Sequence, residues 1–260
     1  AKNNLAYRES LTELGWAYLH MGKLRSAISV INTLHTPFYE NYFEPESLVL
    51  RAILHNYNCQ FDDAEVVVNT FNDNYSYIIE ILNNWTSQKN TAADAMAEIN
   101  YAAEILKNEN IYRKSEAGIA KDYNGKIPFK VTRSVLNDYR MKNIYDTYVM
   151  VKAESAIAKK YFDSSRTNLK PFLDKIYAGR LDFYKAQLVA VFNRVILTLE
   201  KNVTYYKQQI LFVNYEILEA KKSQLRLKAM AADQPSPQEE QAVKTEQPAK
   251  ENYSRNFYVK

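Results

Sequence analysis

Two stretches near the start of the chain share one layout of apolar, small and polar positions with the period of an α-helix. Gly15 in the first stretch corresponds to Ala52 in the second, at an offset of 37 residues that other positions share. A fixed period in this range is typical of solenoids, in which each repeat is one supersecondary unit. The pattern predicts two helix pairs, over residues 5–35 and 46–74. The residues predicted to pack these pairs are Leu11, Leu14, Gly15, Tyr18, Ala27, Ala52 and Ala64.

The residues around the second pair predict a connection and further helices. Residues 36–45 interrupt the helical pattern, but they are rich in aromatic side chains, so we expect them to pack over the helices. After residue 75 the repeat template is lost, while helical periodicity continues. Thr91 is predicted to cap a helix over residues 92–107, since a threonine hydroxyl can accept a hydrogen bond from the first turn.

The region from Leu169 to Ala232 predicts a long helix with apolar residues spaced by three and four. This spacing is typical of a coiled-coil seam or of a long antiparallel hairpin. The helix over residues 138–162 is its predicted partner within the chain, although a homodimer seam would give the same pattern. The predicted seam, with one slip, comprises Phe192, Val195, Leu199, Asn202, Tyr206, Ile210, Val213, Ile217, Ala220, Gln224 and Leu227.

The last residues change in composition to proline, glutamine, glutamate and lysine without an apolar period. We interpret them as a solvated tail whose aromatic end either docks on a protein surface or precedes another structured element. The predicted fold is all-α, with a short array of helix pairs followed by a long antiparallel helical hairpin. Its predicted parts are residues 1–75, the helix pairs; 76–128, capping helices and a connector; 129–232, the hairpin; and 233–260, the tail.

Composition supports this fold and narrows the classes of partner. The 260 residues are 47% apolar and 25% charged, which suits a folded core. Five glycines and seven prolines are too few for a turn-rich β fold. The net charge of +4 is too small to predict nucleic acid as the main partner. No apolar run reaches the ~18 residues of a membrane span, so we expect none.

The search for chemistry predicts no catalytic residue, metal ligand or cofactor. No Gly-rich phosphate loop, nucleophile elbow or zinc-protease motif is present in the sequence. The three histidines are interpreted as packing or surface residues, and Asp62 and Asp63 as first-turn carboxylates that favour a helix N-terminus. Cys59 is predicted to be a small buried residue at the turn of the second pair.

The first stretch resembles a tetratricopeptide (TPR) repeat through Leu11, Leu14, Gly15, Tyr18, Gly22, Leu24 and Ala27. In the second stretch His55 and Cys59 replace the usual aromatic residue and glycine. The resemblance implies a right-handed stack of helix pairs whose inner face binds a peptide, a helix or another protein. The groove residues that it implies are Glu9, Thr12, Trp16, His20, Glu46, Val49, Ile53 and Asn56.

The order of the predicted elements is similar to that of periplasmic TPR scaffold proteins of gliding and predatory Gram-negative bacteria. This similarity implies a periplasmic, non-enzymatic scaffold or adaptor in an envelope complex, such as a motility complex of such organisms, with other proteins as partners. Two alternatives remain open at this point. One is a structural coiled-coil homodimer with TPR end caps, and the other is a small-molecule binder or enzyme with a pocket between the helix pairs and the hairpin.

Overall fold

The computed structural model describes residues 5–39, 42–88, 90–107, 123–163 and 169–232, and these ranges contain eight α-helices and no β-strand. The all-α prediction is therefore confirmed. A short 3-10 helix, Pro37–Tyr39, follows the second α-helix. The α-helices are α1 Leu5–His20, α2 Leu24–Leu34, α3 Pro45–Tyr57, α4 Phe61–Ser87, α5 Ala92–Leu106, α6 Phe129–Asn137, α7 Tyr139–Asp163 and α8 Lys170–Ala232.

The offset of 37 residues extends to the helix ends on either side of the turn within each pair. Helix α1 ends at His20 and α3 at Tyr57, while α2 begins at Leu24 and α4 at Phe61. Each turn is closed by the same two backbone hydrogen bonds, which satisfy carbonyl groups at the end of the preceding helix in the manner of a Schellman motif. These bonds run from Gly22 N to Leu19 O, Lys23 N to Tyr18 O, Cys59 N to Asn56 O and Gln60 N to His55 O.

The turn residue of the second pair corrects the prediction for Cys59. Its side chain is exposed rather than buried, and its φ is +58°, close to the +70° of Gly22. A Cβ atom added to Gly22 would have no neighbour within 4 Å. The repeat therefore needs glycine here for its backbone conformation, not for space, and Cys59 occupies a left-handed conformation that L-residues tolerate at a cost.

Small residues inside the two pairs do allow close packing. Ala27, Ala52 and Ala64 are fully buried. A Cβ atom on Gly15 would lie 2.7 Å from Ile31 Cδ1, so glycine is required there for space. Leu11 and Tyr18 are partly buried, whereas Leu14 is 40% exposed and lies at the surface instead of filling the repeat.

The aromatic connection packs on the helices as predicted. Tyr39, Tyr42 and Phe43 are buried, and the backbone N–H of Glu44 donates to the hydroxyl of Tyr75 at 3.1 Å. Helix α4 does not end near residue 74, however. It continues across the boundary predicted at residue 75, because Ile78, Ile79, Leu82 and Trp85 prolong its buried face.

Helices α5 and α6 form the next layer. Thr91 caps α5 in a capping box with Asp94, which confirms the predicted cap. The carboxylate of Glu98 on α5 is buried and accepts hydrogen bonds from the backbone N–H groups of Lys126 and Ile127 and from the hydroxyl of Tyr123. These bonds fix the segment that leads into α6.

Helix α8 is continuous over 63 residues. Pro171 lies in its first turn, where a missing N–H leaves no intrahelical bond unmade. An ion pair of 3.6 Å between Arg180 and Glu154 joins its first part to α7. Its buried positions correct part of the predicted seam: Ile196 and Val203 are fully buried, while Asn202 is exposed. The true seam keeps the three–four spacing without a slip, through Ile196, Leu199, Val203, Tyr206, Ile210, Val213 and Ile217.

The chain divides into two compact units, residues 1–221 and 222–260. The second unit begins with the last turns of α8, where Leu225 and Leu227 are exposed. Leu227 was predicted to continue the seam, and its exposure shows that the buried stripe ends earlier. The predictions for the tail over residues 233–260 lie outside the described residues.

Candidate functional site

The inner face of the second helix pair, predicted as part of a groove for a partner, is covered by α8 of the same chain. Val49 and Ile53 on α3 are buried, and they belong to the same hydrophobic cluster as Ile210, Val213 and Ile217 on α8. Burial of such aliphatic side chains contributes about 1.5–3 kcal/mol each. The prediction that Val49 and Ile53 are available to a partner is therefore wrong.

Glu46 connects three helices at the N-terminal end of this contact. The indole N–H of Trp16 on α1 donates to Oε1 of Glu46 at 3.0 Å, and the hydroxyl of Tyr206 on α8 donates to Oε2 at 2.7 Å. Burial, followed by the hydrogen bond to the Glu46 carboxylate, raises the pKa of Tyr206 above its ordinary value. The phenol therefore remains a donor throughout the physiological range.

The other end of the contact shows the direction of α8. The amide of Asn56 donates to Glu216 Oε2 at 3.4 Å, and this pair has the same separation of 160 residues as Glu46 and Tyr206. A constant separation means that α3 and α8 run parallel. Lys221 on α8 pairs with Asp62 and Glu65 in the first turns of α4. Near the end of α4, the indole N–H of Trp85 donates to Oδ1 of Asn193, which lies earlier on α8, at 3.3 Å. Helix α8 therefore runs antiparallel to α4.

The groove residues predicted in the first helix pair are arranged differently. Glu9 and His20 are exposed, and the rings of Trp16 and His20 stack with centroids 6.4 Å apart. Thr12 is buried, and its hydroxyl donates to the carbonyl of Arg8 at 3.4 Å, so it faces the protein interior. Only part of the predicted groove is therefore accessible.

A second face of α8 carries apolar residues that remain at the surface. Leu211 is 52% exposed, Tyr215 62% and Leu218 52%. They follow one another at intervals of four and three residues, so they form one stripe along the helix, which we call the outer stripe. Large contiguous patches of exposed apolar residues are a feature of protein–protein interaction sites.

Further exposed apolar residues lie on α7 and on the first part of α8. Eight side chains on these helices are more than 40% exposed, although the two helices face each other at the Arg180–Glu154 ion pair. They are Tyr139, Val149, Met150, Ile157, Tyr161, Phe172, Ile176 and Phe183.

A buried cationic cluster below the connection between the helix pairs was not predicted. The guanidinium carbons of Arg8 and Arg133 each lie 3.8 Å from the ring centroid of Tyr42. Arg8 also pairs with Glu44 at 2.6 Å. Burial raises the pKa of Glu44, although the hydrogen bond from Arg8 opposes this. Two cations that enclose an aromatic ring stabilise it by cation–π attraction, which is strengthened by burial.

Among the residues that the structure describes, no group of three His, Cys, Asp or Glu side chains could hold a metal ion. His55 is buried, and its Nδ1 lies 3.0 Å from Gln60 Oε1. In the same ranges no helix is both long and apolar enough to cross a membrane.

Comparison with known proteins found no match to this chain among protein-family models, curated proteins or solved structures.

Proposed function

We propose that this protein is a non-enzymatic scaffold that binds another protein along the outer stripe of α8. The observation that carries the proposal is the exposure of Leu211, Tyr215 and Leu218 on a helix whose other face is fixed to the fold. A rigid helix loses little conformational entropy on binding, which favours its use as a docking surface.

The spacing of the outer stripe favours an amphipathic helix as the partner segment. Apolar residues at intervals of three and four pack against a second helix in the geometry of a coiled coil. Tyr215 is suited to such a contact because tyrosine is enriched in protein interfaces. The groove predicted from the resemblance is not the surface that we propose, because α8 itself covers Val49 and Ile53.

Photo-crosslinking tests this proposal in the cell that makes the protein. A photoreactive residue at Leu211 or Leu218 should give one discrete crosslinked product with another protein. The same residue at Asp73, which is exposed on α4, serves as the control. Equal labelling at Leu211 and Asp73, or no product at either outer position, would argue against the outer stripe as the docking surface.

A homodimer through the outer stripe is the second candidate for the same surface. The same exposed side chains favour it, since a stripe of this kind can pair with its own copy. Sedimentation over a wide range of concentration distinguishes the two candidates. A mass that rises to that of a dimer, and that Leu218→Asp returns to a monomer, would identify the homodimer.

We also propose the periplasm as the compartment of this scaffold. The support is the similarity in the order of elements to periplasmic TPR scaffolds. Fractionation of the native cells with antibody detection tests it, and recovery of the protein with cytosolic markers would contradict it.

A further inference from the structure

A polar cavity lies beneath the segment that connects the two helix pairs. Its volume is about 400 Å³, which is within the range of sites for small molecules. The connecting segment, α3, α4 and α6 all contribute to its walls. The polar side chains that line it include His35, Tyr39, Ser47, Arg51, Thr70, Asn74 and Lys130.

Arg51 is a cation on the cavity wall whose buried Nε has no hydrogen-bond partner. Its side chain is half-buried, yet it makes no hydrogen bond or ion pair with any residue in the described ranges, and its Nε is among the buried atoms without a partner. Burial lowers the pKa of Arg51, while the charge of Asp63 opposes this. A guanidinium has five N–H donors, and leaving the buried Nε–H of Arg51 without a partner is costly.

His35 lies next to this charge. Burial, and then the charge of Arg51, lower the pKa of His35 to about 4, while a hydrogen bond with the backbone of Ser47 raises it. Its Nε2 is buried without a partner. Lys130 adds a buried ammonium, which lies 5.2 Å from the ring centroid of Tyr75.

The balance of charge around the cavity is positive. Glu44 is the only acidic side chain among the described residues that line it, and its carboxylate is already paired with Arg8 at 2.6 Å. Arg51 and Lys130 are the cations among the lining residues. The rings of Tyr39 and Tyr75 provide apolar surface beside them.

We propose that this cavity binds the oxyanion group of a small phosphorylated or carboxylated molecule. The planar guanidinium of Arg51 is the main donor, because it matches two oxygens of such a group at once. Lys130 supplies further positive charge, and the tyrosine rings contact the rest of the molecule. This site shares no residue with the outer stripe. A test of the site is therefore independent of the proposed scaffold role.

Thermal unfolding with inorganic phosphate and with acetate, at constant ionic strength, tests the site. We expect a saturable rise in Tm for the natural protein and for the control variant Arg25→Gln, which alters an exposed arginine on α2. For Arg51→Gln we expect the apparent affinity for the ion to fall by a factor of about ten or more, since a charge-assisted hydrogen bond is removed. A larger effect of phosphate or of acetate identifies the group that the site prefers.

The unliganded variant provides a further criterion. Without phosphate or acetate, Arg51→Gln should be at least as stable as the natural protein, because it removes a cation that burial disfavours. The same saturable rise in Tm in Arg51→Gln, or no saturable rise in the natural protein, would overturn the proposal.

Chemical modification of the natural protein avoids any dependence on the folding of a variant. Phenylglyoxal labels accessible guanidinium groups, and peptide mass spectrometry locates the label. Phosphate or acetate should slow the labelling of Arg51 severalfold while leaving that of Arg25 unchanged. Equal slowing at both arginines would show a general effect of the ions and would contradict the site.

Discussion

The two faces of α8 have the same kind of residues and opposite surroundings. Ile210 and Ile217 are fully buried against the helix pairs, while their neighbours Leu211 and Leu218 are each 52% exposed. Adjacent residues of equal hydrophobicity therefore lie in different environments, one in the core and one at the surface. One face fixes α8 to the fold, and the other is exposed at the surface. The face of α3 at which a partner was predicted to bind is therefore covered by a helix of the same chain.

Introducing a charge at neighbouring positions should give the largest difference between the two faces. Ile210→Asp places a carboxylate in the buried cluster and should lower the free energy of unfolding by at least ~4 kcal/mol. Leu211→Asp should change it by less than ~0.5 kcal/mol, because its side chain remains in water. Urea unfolding measures both, and equal losses would mean that both faces are covered.

Truncation should repeat this contrast with a smaller effect. Ile217→Ala is expected to cost about 2–5 kcal/mol, because it removes a buried aliphatic group and leaves a cavity. Leu218→Ala should stay within ~0.5 kcal/mol in stability and should instead weaken binding of the partner. If Leu218→Ala destabilises the isolated protein as much as Ile217→Ala does, the outer stripe is part of the core.

The neighbouring tyrosines test the polar part of the contact. Tyr206→Phe leaves the Glu46 carboxylate without one of its donors and should cost about 1.5–3 kcal/mol. Tyr205→Phe serves as the matched control, since Tyr205 is 48% exposed and should change stability little. Thermal unfolding at pH 7 compares the two variants, and a similar effect of both would show that the hydrogen bond to Glu46 does not fix α8.

Alkaline pH should produce the smallest and most specific effect. Because the pKa of Tyr206 is raised in the folded protein, the unfolded chain loses this proton first, near the ordinary pKa of ~10. The stabilisation is therefore complete below pH ~10 and declines as the pH rises further. Denaturant titrations from pH 9 to 11 should show a shallower decline for Tyr206→Phe than for Tyr205→Phe. Parallel declines would contradict the assigned burial of Tyr206.

Local periodicity was sufficient to predict the helices, but not the conformation of every turn residue. The ends of α1 and α3 and the starts of α2 and α4 follow the offset of 37, because the pattern repeats both apolar positions and turn positions. Cys59 was misassigned because a small residue at a turn can serve either close packing or a left-handed backbone. The sequence does not distinguish these needs, whereas the φ of +58° does.

The contacts of α8 with the rest of the fold could not be predicted from the local periodicity of the sequence. The seam was placed on Asn202 because two adjacent apolar stripes overlap on this helix, and only burial shows that Val203 faces inward. The pairing of Glu46 with Tyr206 spans 160 residues and leaves no periodic signal. The same holds for Tyr42 and Arg133, which meet across 91 residues in the cationic cluster.

Thiol crosslinking between α3 and α8 tests most directly whether α8 packs against α3 of the same chain. The side-chain ends of Asn56 and Glu216 are 3.4 Å apart, so cysteines at both positions, in a Cys59→Gly background, should react with one short bis-maleimide. We predict a crosslinked monomer whose yield does not depend on protein concentration, while Glu216→Cys alone gives none. Crosslinked dimers only, or no product from reactive thiols, would contradict the intramolecular contact.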